Sequence, residues 1–141
     1  MSDKKEFTYR WCLNEEDYKI VCGMQTDWKM NPLHRRMMPE HLIIVSKEGV
    51  DICTACLYQS DSKIAWIEWV VISKKAPKVL RQGAIDYMYG VLFDKAKELG
   101  FEVVMCIANL EPFIKRLKDK YKFVEDTGGG LQKLLFKNLW H

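Results

Sequence analysis

The sequence has no apolar run at its N-terminus, which reads MSDKKEF, and no stretch apolar enough to cross a membrane. We therefore expect neither a secretory signal nor a membrane span, and we expect the protein to be cytoplasmic. Linkers, internal repeats and low-complexity segments are also lacking. Residues 1–141 are thus predicted to form one domain, long enough to bury a sizeable core without disulfides or metal ions.

Cysteine and histidine are few, and neither residue type has the spacing of a metal site. The five cysteines are odd in number and lie within apolar patterns, which is typical of reduced, buried thiols. Cys53 and Cys56 form a CTAC pair, but their neighbours predict a strand, which would point the two thiols to opposite faces. No second pair completes a zinc site. We predict no bound metal, and no Ser/His/Asp arrangement can be built.

Charge and aromatic content leave several classes of partner open. The net charge of +3 is small, so it fits nucleotide-like or acidic partners without favouring them over others. The five tryptophans keep nucleic acid as an alternative partner, because bases stack on such rings. At strand positions, however, most of these rings are expected to pack in the core.

Hydrophobic periodicity predicts a mixed-sheet α/β domain with the order β-α-α-β-β-β-α-β-α-β-β. The helix from about Leu80 to Leu99 has the clearest pattern, with apolar residues three and four positions apart. The strand that follows it, VVMCI, is apolar on both faces, which predicts a parallel neighbour and cover on both sides. Asn14 is expected to cap the first helix, and Asn31-Pro32 to begin the second. Strands are predicted over Phe7–Leu13, Leu42–Ser46, Val50–Gln59, Ile64–Ser73, Glu102–Ala108, Phe123–Glu125 and Leu131–Leu139.

The segment between the Ile64–Ser73 strand and the long helix is basic. Four cations, Lys74, Lys75, Lys78 and Arg81, occur within eight residues. A helix N-terminus has backbone N–H groups without partners, and its dipole favours negative charge. We predict an anion site at this turn, with a phosphate-bearing cofactor as the first candidate. The alternative is a solvated basic turn with no ligand.

This order of elements, with its central strand–helix–strand unit, resembles the GNAT superfamily of acyl-CoA-dependent N-acetyltransferases. Gln82-Gly83-Ala84 is similar to the phosphate-binding turn of that family, and Ala96…Gly100-Phe101 to the A-x-x-x-G-F/Y ending of the same helix. Asn109 follows the next strand, as it does in many members. Residues 120–123, Lys-Tyr-Lys-Phe, resemble the K-x-G-F that closes the last helix.

The resemblance implies that the chain binds acetyl-CoA or another acyl-CoA. In the family, the amides of the turn hold the pyrophosphate and the strand pairs with the pantetheine arm, at a splay between two parallel strands. The equivalent parts here are Lys75–Ala84 and Val70–Ser73. Leu80 and Ile85 depart from the family's Q/R-x-x-G-x-G/A pattern, and Pro77 removes one amide donor. The residues that the resemblance assigns to the cofactor are Val70, Val71, Ile72, Ser73, Lys78, Arg81, Gln82, Gly83, Ala84 and Asn109.

Amine acetylation needs a base for the incoming ammonium and often an acid for the leaving thiolate. Glu68 is the candidate base, because its apolar neighbours should raise the pKa of its carboxyl; the alternative is a solvated or ion-paired side chain. The family's acid tyrosine falls at Lys118 here, so Tyr121 is the candidate acid, with packing as its other role. His34, Arg35 and Arg36 lie on the segment expected to cover the acceptor site, where they either bind an acidic substrate or are solvated.

The implied function is transfer of acetyl from acetyl-CoA to a primary amine by direct attack, on a small molecule or a protein. Two alternatives stay open. One is a degenerate, phage-encoded protein of this fold that binds or builds a structure without catalysis, such as a virion protein. The other is a GNAT-like enzyme that modifies nucleic-acid bases. The sequence is compatible with a homodimer.

Overall fold

A computed structural model describes residues 6–108, 111–125 and 133–139. The elements in chain order are β1 (Thr8–Trp11), α1 (Glu15–Asp27), a 3₁₀ turn (Arg35–Met37), β2 (His41–Lys47), β3 (Val50–Tyr58), β4 (Ile64–Ile72), α2 (Lys78–Glu98), β5 (Val103–Ala108), α3 (Glu111–Tyr121), β6 (Val124–Glu125) and β7 (Lys133–Asn138). No helix in these described ranges is both long enough and apolar enough to span a membrane.

The strands of the described residues form one mixed sheet in the order β1-β2-β3-β4-β5-β7-β6. β4 and β5 run parallel, whereas the other neighbouring pairs are antiparallel. Parallel neighbours require a long crossover connection, and α2 supplies it between β4 and β5. The predicted mixed-sheet α/β class is therefore confirmed.

Helix α2 lays its apolar stripe on one face of the sheet. Ile85, Met88 and Leu92 are almost fully buried there, as the periodicity predicts. Leu99, which was expected to extend the stripe, is 38% exposed. That expectation is wrong because the helix ends at Glu98 and the chain then turns away at Gly100, whose φ is +94°.

Helix α1 covers the opposite face of the sheet at the β2–β4 end. Its Val21 and Met24 pack in one core cluster with Ile44 of β2 and Cys56 of β3. Asn14 caps the helix as predicted, because its side-chain oxygen accepts the backbone N–H of Asp17 at 2.9 Å.

Strand β5 is covered on one face rather than two. Its Val104, Cys106 and Ala108 are buried under the helices, but Ile107 is 47% exposed. The prediction that both faces of β5 are covered is wrong. The core cluster that contains the buried residues of α1 includes residues of β2, β3 and β4 but none of β5.

The segment between α1 and β2 is extended where a second helix was expected at Asn31-Pro32. A single 3₁₀ turn forms only at Arg35. The reason is that Leu33 is 1% exposed, and its backbone N–H donates to the Gln25 side chain at 2.7 Å, which draws the segment onto the core. Helical backbone at this point would lose that anchor.

The two cysteines of the CTAC pair lie in separate core clusters on opposite faces of the sheet, as predicted. Cys53 packs on the α2 side and Cys56 on the α1 side. Burial raises the pKa of each thiol to about 12, so both remain protonated at neutral pH.

Candidate functional site: a cleft between the two parallel strands

A bulge in β4 opens the sheet next to β5. Thr54 pairs with Val71 and Cys56 with Glu68, so two residues of β4 lie opposite one residue of β3. Trp69, one of those two, has a φ of +60°, a left-handed conformation that side chains other than glycine rarely adopt. The register between β4 and β5 extends from Ile64 only as far as Trp66. The two strands therefore separate towards their carboxyl ends, where ligands bind in open α/β sheets.

Two adjoining cavities lie at this opening of the sheet. The first, which we call the turn-side groove, has a volume of about 460 Å³ and is lined by Trp28, Met30, Val70, Val71, Ile72, Arg81, Gln82, Ile85, Phe113 and Arg116. The second, which we call the Glu68 cavity, has a volume of about 490 Å³ and is lined by Met30, Ile67, Glu68, Trp69, Val70, Tyr89, Cys106, Ile107, Ala108 and Phe113. The shared residues Met30, Val70 and Phe113 make them one continuous cleft.

Glu68 bridges the gap that the separating strands leave. Its Oε2 accepts the backbone N–H of Ile107 at 3.0 Å, a donor that a continuous ladder would have paired with backbone. Burial raises the pKa of the Glu68 carboxyl to about 7, and the hydrogen bond from Ile107 offsets part of that rise. The apolar neighbours in the sequence predicted a rise in this direction. A carboxyl with this pKa is present in both protonation states near neutral pH.

The turn after β4 is shorter than predicted, because α2 begins at Lys78 rather than near Leu80. Ser73 shapes the turn: its N–H donates to Ile52 O at 2.8 Å and its carbonyl accepts from Ala76 N at 3.2 Å. Pro77 is the N-cap and provides no side-chain cap. The amides of Lys78 and Val79, in the first turn of the helix, therefore remain available to a ligand or to water.

Two of the four cations of the turn already have contacts within the fold. The guanidinium of Arg81 donates to Ala76 O at 3.0 and 3.1 Å and to Lys74 O at 3.1 Å, so it braces the turn. The ammonium of Lys74 lies 4.6 Å from the centre of the Trp28 ring. Lys75 and Lys78 are exposed and carry the turn's positive charge to solvent.

Sequence comparison finds no match to this chain, either among protein-family models or among curated proteins. Solved structures do match its fold. N-acetylglutamate synthase from Neisseria gonorrhoeae, complexed with coenzyme A and N-acetyl-glutamate, gives a TM-score of 0.71 at 13% identity over 98% of this chain. The yncA protein from Salmonella typhimurium, with its cofactor acetyl-CoA, gives 0.69 at 12% identity over 94% of both chains. The chain has the GNAT fold.

The extent of the match differs between these proteins. The chain spans 36% of the length of the gonococcal synthase. It covers 91% of the ribosomal-protein-S18-alanine N-acetyltransferase from Escherichia coli, with 93% of its own length, a TM-score of 0.68 and 14% identity. At such low identities the likeness establishes the GNAT architecture, and the roles of residues have to be argued from the site itself.

Gly83 and Ala84 lie inside α2, away from the turn where the GNAT resemblance placed them. As the sixth and seventh residues of the helix, they have amides that belong to the intrahelical ladder. A side chain at Gly83 would meet the ring of Phe7 at 3.0 Å, so this glycine allows Phe7 to approach the helix. Val70, Val71, Ile72, Arg81 and Gln82, in contrast, line the turn-side groove as the resemblance implies.

Tyr121 lies below the cleft, where its hydroxyl donates to Asp86. Its ring stacks on Tyr89 with the ring centres 4.7 Å apart, and Asp86 also holds Arg116 at 2.6 Å. Burial and the hydrogen bond to Asp86 raise the pKa of the Tyr121 hydroxyl. Tyr121 lines neither cavity, so the geometry favours the packing role over the acid role. Asn109, the remaining candidate, lies outside the described residues.

Three residues that the sequence did not single out shape the cleft. The indole N–H of Trp28 donates to Ile72 O at 2.6 Å, on the strand segment assigned to the cofactor. The hydroxyl of Tyr89 is buried at the Glu68 cavity and has no hydrogen-bond partner within the described chain. Phe113 contributes to both cavities. Tyr89 belongs to the predicted apolar stripe of α2, but nothing in the spacing distinguishes a cavity residue from a core residue.

The basic residues expected over the acceptor site lie elsewhere. Arg35 forms an ion pair with Glu15, and its guanidinium carbon lies 4.4 Å from the centre of the Tyr18 ring. The Nδ1 atom of His34 accepts the backbone N–H of Arg36 at 3.1 Å. Arg35 lines a separate cavity of about 260 Å³, so the structure does not bring these residues to Glu68.

Proposed function

We propose that this protein transfers an acetyl group from acetyl-CoA, or an acyl group from another acyl-CoA, to a primary amine by direct attack. One observation carries the proposal. The carboxyl of Glu68 lies where the parallel strands separate, and burial holds its pKa at about 7. A base whose pKa is close to the working pH is the most effective in proton transfer.

The turn-side groove supports binding of the acyl-CoA. The amides of Lys78 and Val79 and the exposed ammonium groups of Lys75 and Lys78 would hold the pyrophosphate at the N-terminus of α2. The apolar wall formed by Val70 and Ile72 would hold the pantetheine arm. Structural neighbours were solved with coenzyme A or acetyl-CoA, which supports the binding of an acyl-CoA.

Acyl-CoA supplies an acyl group activated as a thioester. Glu68 removes a proton from the incoming ammonium, since its ionised form predominates above pH 7. The free amine nitrogen would then form a bond to the thioester carbonyl carbon as the carbon–sulfur bond breaks, and the nitrogen would release its second proton to solvent to give the neutral amide. The leaving thiolate takes its proton from solvent, because a thiolate of ordinary pKa needs no dedicated donor.

Thermal unfolding with and without acetyl-CoA tests cofactor binding. A concentration one hundred times the dissociation constant should stabilise the fold by about 2.7 kcal/mol. Release of free thiol in the presence of a panel of primary amines then tests transfer. An unchanged unfolding temperature at millimolar acetyl-CoA would contradict the proposal and favour a non-catalytic protein of the same fold.

Two substitutions at Lys78 locate the pyrophosphate. Lys78→Ala removes the ammonium but keeps the backbone amide, whereas Lys78→Pro removes both and fits the first helical position after the extended Pro77. We expect Lys78→Pro to weaken acetyl-CoA binding by about tenfold more than Lys78→Ala, since a hydrogen bond to a charged group contributes about 1.5–3 kcal/mol. Equal affinities for the two variants, measured by calorimetric titration, would show that the amide does not contact the cofactor.

A further inference from the structure

The residues that line the Glu68 cavity indicate which class of acceptor amine fits it. Among the lining residues that the structure describes, Glu68 alone is ionisable to a charged form at neutral pH, and no lysine or arginine lines the cavity. Burial of a carboxylate without a cation or several hydrogen-bond donors is costly. An acceptor that carries a carboxylate beside its amine would therefore find no cation among these lining residues, and the unpaired hydroxyl of Tyr89 would be a single neutral donor for it.

The two arginines that line the cleft within the described residues do so at the turn-side groove and not at the Glu68 cavity. Arg116 and Arg81 line the turn-side groove, where Arg116 is paired with Asp86 at 2.6 Å and Arg81 braces the turn. The positive end of the cleft thus lies at the turn and the negative end at Glu68. A cationic amine is drawn to Glu68, while an anionic acceptor is drawn towards the groove proposed for the cofactor.

Apart from Glu68 and the hydroxyl of Tyr89, the side chains that line the cavity are apolar and partly aromatic. Met30, Trp69 and Phe113 line it and are each only partly buried, and Ile107 leaves 47% of its surface exposed. An apolar body on the acceptor would remove this surface from water, a gain of about 25 cal/mol for each Å². Aromatic rings suit such a wall because they pack edge to face or offset against other rings.

We propose that the acceptor is a primary amine on an uncharged apolar or aromatic body, without a carboxylate. This inference deepens the proposed function and rests on it. It identifies a chemical class, the arylalkyl and alkyl amines, and it excludes free amino acids as efficient acceptors.

Matched acceptors test the proposal on the full chain with acetyl-CoA. 2-Phenylethylamine and phenylalanine share the same ring and amine and differ by the carboxylate. We expect kcat/KM for 2-phenylethylamine to exceed that for phenylalanine on the order of a hundredfold, because the buried carboxylate has no cationic partner among the described lining residues. Ethanolamine, which has a hydroxyl in place of the ring, should be at least about tenfold poorer than 2-phenylethylamine, from the lost apolar contact.

A substitution in the cavity wall removes the effect of the different intrinsic reactivities of the two amines, because the ratio of their turnover is compared between variants. Ile107→Arg places a cation at an exposed lining position and should raise the ratio of phenylalanine to 2-phenylethylamine turnover at least about tenfold, since charge-assisted pairing then becomes available. Leu13→Arg is the matched control at a site 79% exposed and outside the cavity, and its ratio should stay that of the parent. Lys133 is the cation whose backbone pairs opposite Ala108, and Lys133→Gln should also leave the ratio unchanged.

The outcomes separate the inference from the proposed function. If acetyl-CoA does not bind, the proposed function itself is wrong. If acetyl-CoA binds but phenylalanine is acetylated as well as 2-phenylethylamine, or neither amine is acetylated, the acceptor class is wrong. Loss of phenylalanine turnover in Lys133→Gln would also overturn it, because that cation would then hold the carboxylate.

Discussion

Replacing Glu68 by Gln should make the protein more stable at alkaline pH and at the same time much less active. The amide oxygen of Gln can still accept the backbone N–H of Ile107, so the bridge between β4 and β5 is kept. What disappears is the ionisation. In the parent protein, burial disfavours the charged carboxylate, which is why the pKa rises from 4.5 to about 7.

The sign of the pH dependence follows from this direction. Because the folded-state pKa lies above the unfolded value, the unfolded chain loses this proton first as the pH rises from about 4.5 to about 7. The contribution of Glu68 to stability is therefore fully present below pH 4.5 and is lost by about pH 7. The full rise corresponds to roughly 3 kcal/mol, since each pH unit corresponds to about 1.36 kcal/mol. Solvent screening at this partly exposed carboxyl reduces the difference to roughly 2 kcal/mol.

Thermal unfolding at several pH values measures the effect. Near pH 5, the Glu68→Gln variant and the parent should unfold at similar temperatures. At pH 8, the variant should unfold several degrees higher, since about 1 kcal/mol moves the midpoint of a domain of this size by roughly 3–5 °C. Glu102→Gln, at an exposed carboxyl, is the matched control and should show no such divergence.

Activity should change in the opposite direction. Loss of a general base lowers kcat by about a hundredfold to ten-thousandfold, and the parent should gain activity as the pH rises through about 7. A variant that is less stable than the parent at pH 8 would refute the buried-carboxyl reasoning. A variant that is more stable but fully active would refute the role of Glu68 as base and leave its electrostatics intact.

Two further substitutions test the surroundings of the cleft. Tyr121→Phe should lower the free energy of unfolding by about 1 kcal/mol through loss of the hydrogen bond to Asp86, with kcat nearly unchanged in thiol-release assays. A drop in kcat of a hundredfold or so would instead assign the acid role to Tyr121. Trp28→Phe keeps a ring but frees the carbonyl of Ile72, so acetyl-CoA should bind about fivefold more tightly in calorimetric titration if its arm pairs there. Weaker binding would mean that the indole itself contacts the cofactor.

Much of the fold could be predicted from local pattern. The periodicity of α2, the Asn14 cap and the alternation of β3, which separates Cys53 from Cys56, all depend on residues close in sequence. The predictions that were wrong depend on distant contacts. The helix expected at Asn31-Pro32 is absent because Leu33 anchors that segment to Gln25, and no local signal contains that contact.

The candidate site could be predicted only in part, because some of its features depend on neighbouring residues and others on contacts between distant segments. Glu68 could be singled out because its neighbours in the strand are apolar, which is a local property. The start of α2 was predicted near Leu80 and lies at Lys78, because the first turn of the helix depends on how the chain leaves the end of β4. The resemblance assigned Gln82-Gly83-Ala84 to the phosphate-binding turn, and in the structure these residues lie within the helix that begins after Pro77.

The sequence by itself determined the class of the fold, the basic turn before the long helix and the unusual setting of one strand glutamate. These follow from periodicity, charge and neighbouring side chains. Only the tertiary structure decided that Glu68 faces an opening, because the opening depends on where β4 bulges against β3 and stops pairing with β5. The tertiary structure also decided which cations of the turn already have contacts within the fold, because the guanidinium of Arg81 donates to backbone carbonyls of the same turn. A cavity is a relation between strands and helices distant in sequence, and such relations are fixed only when the chain is packed.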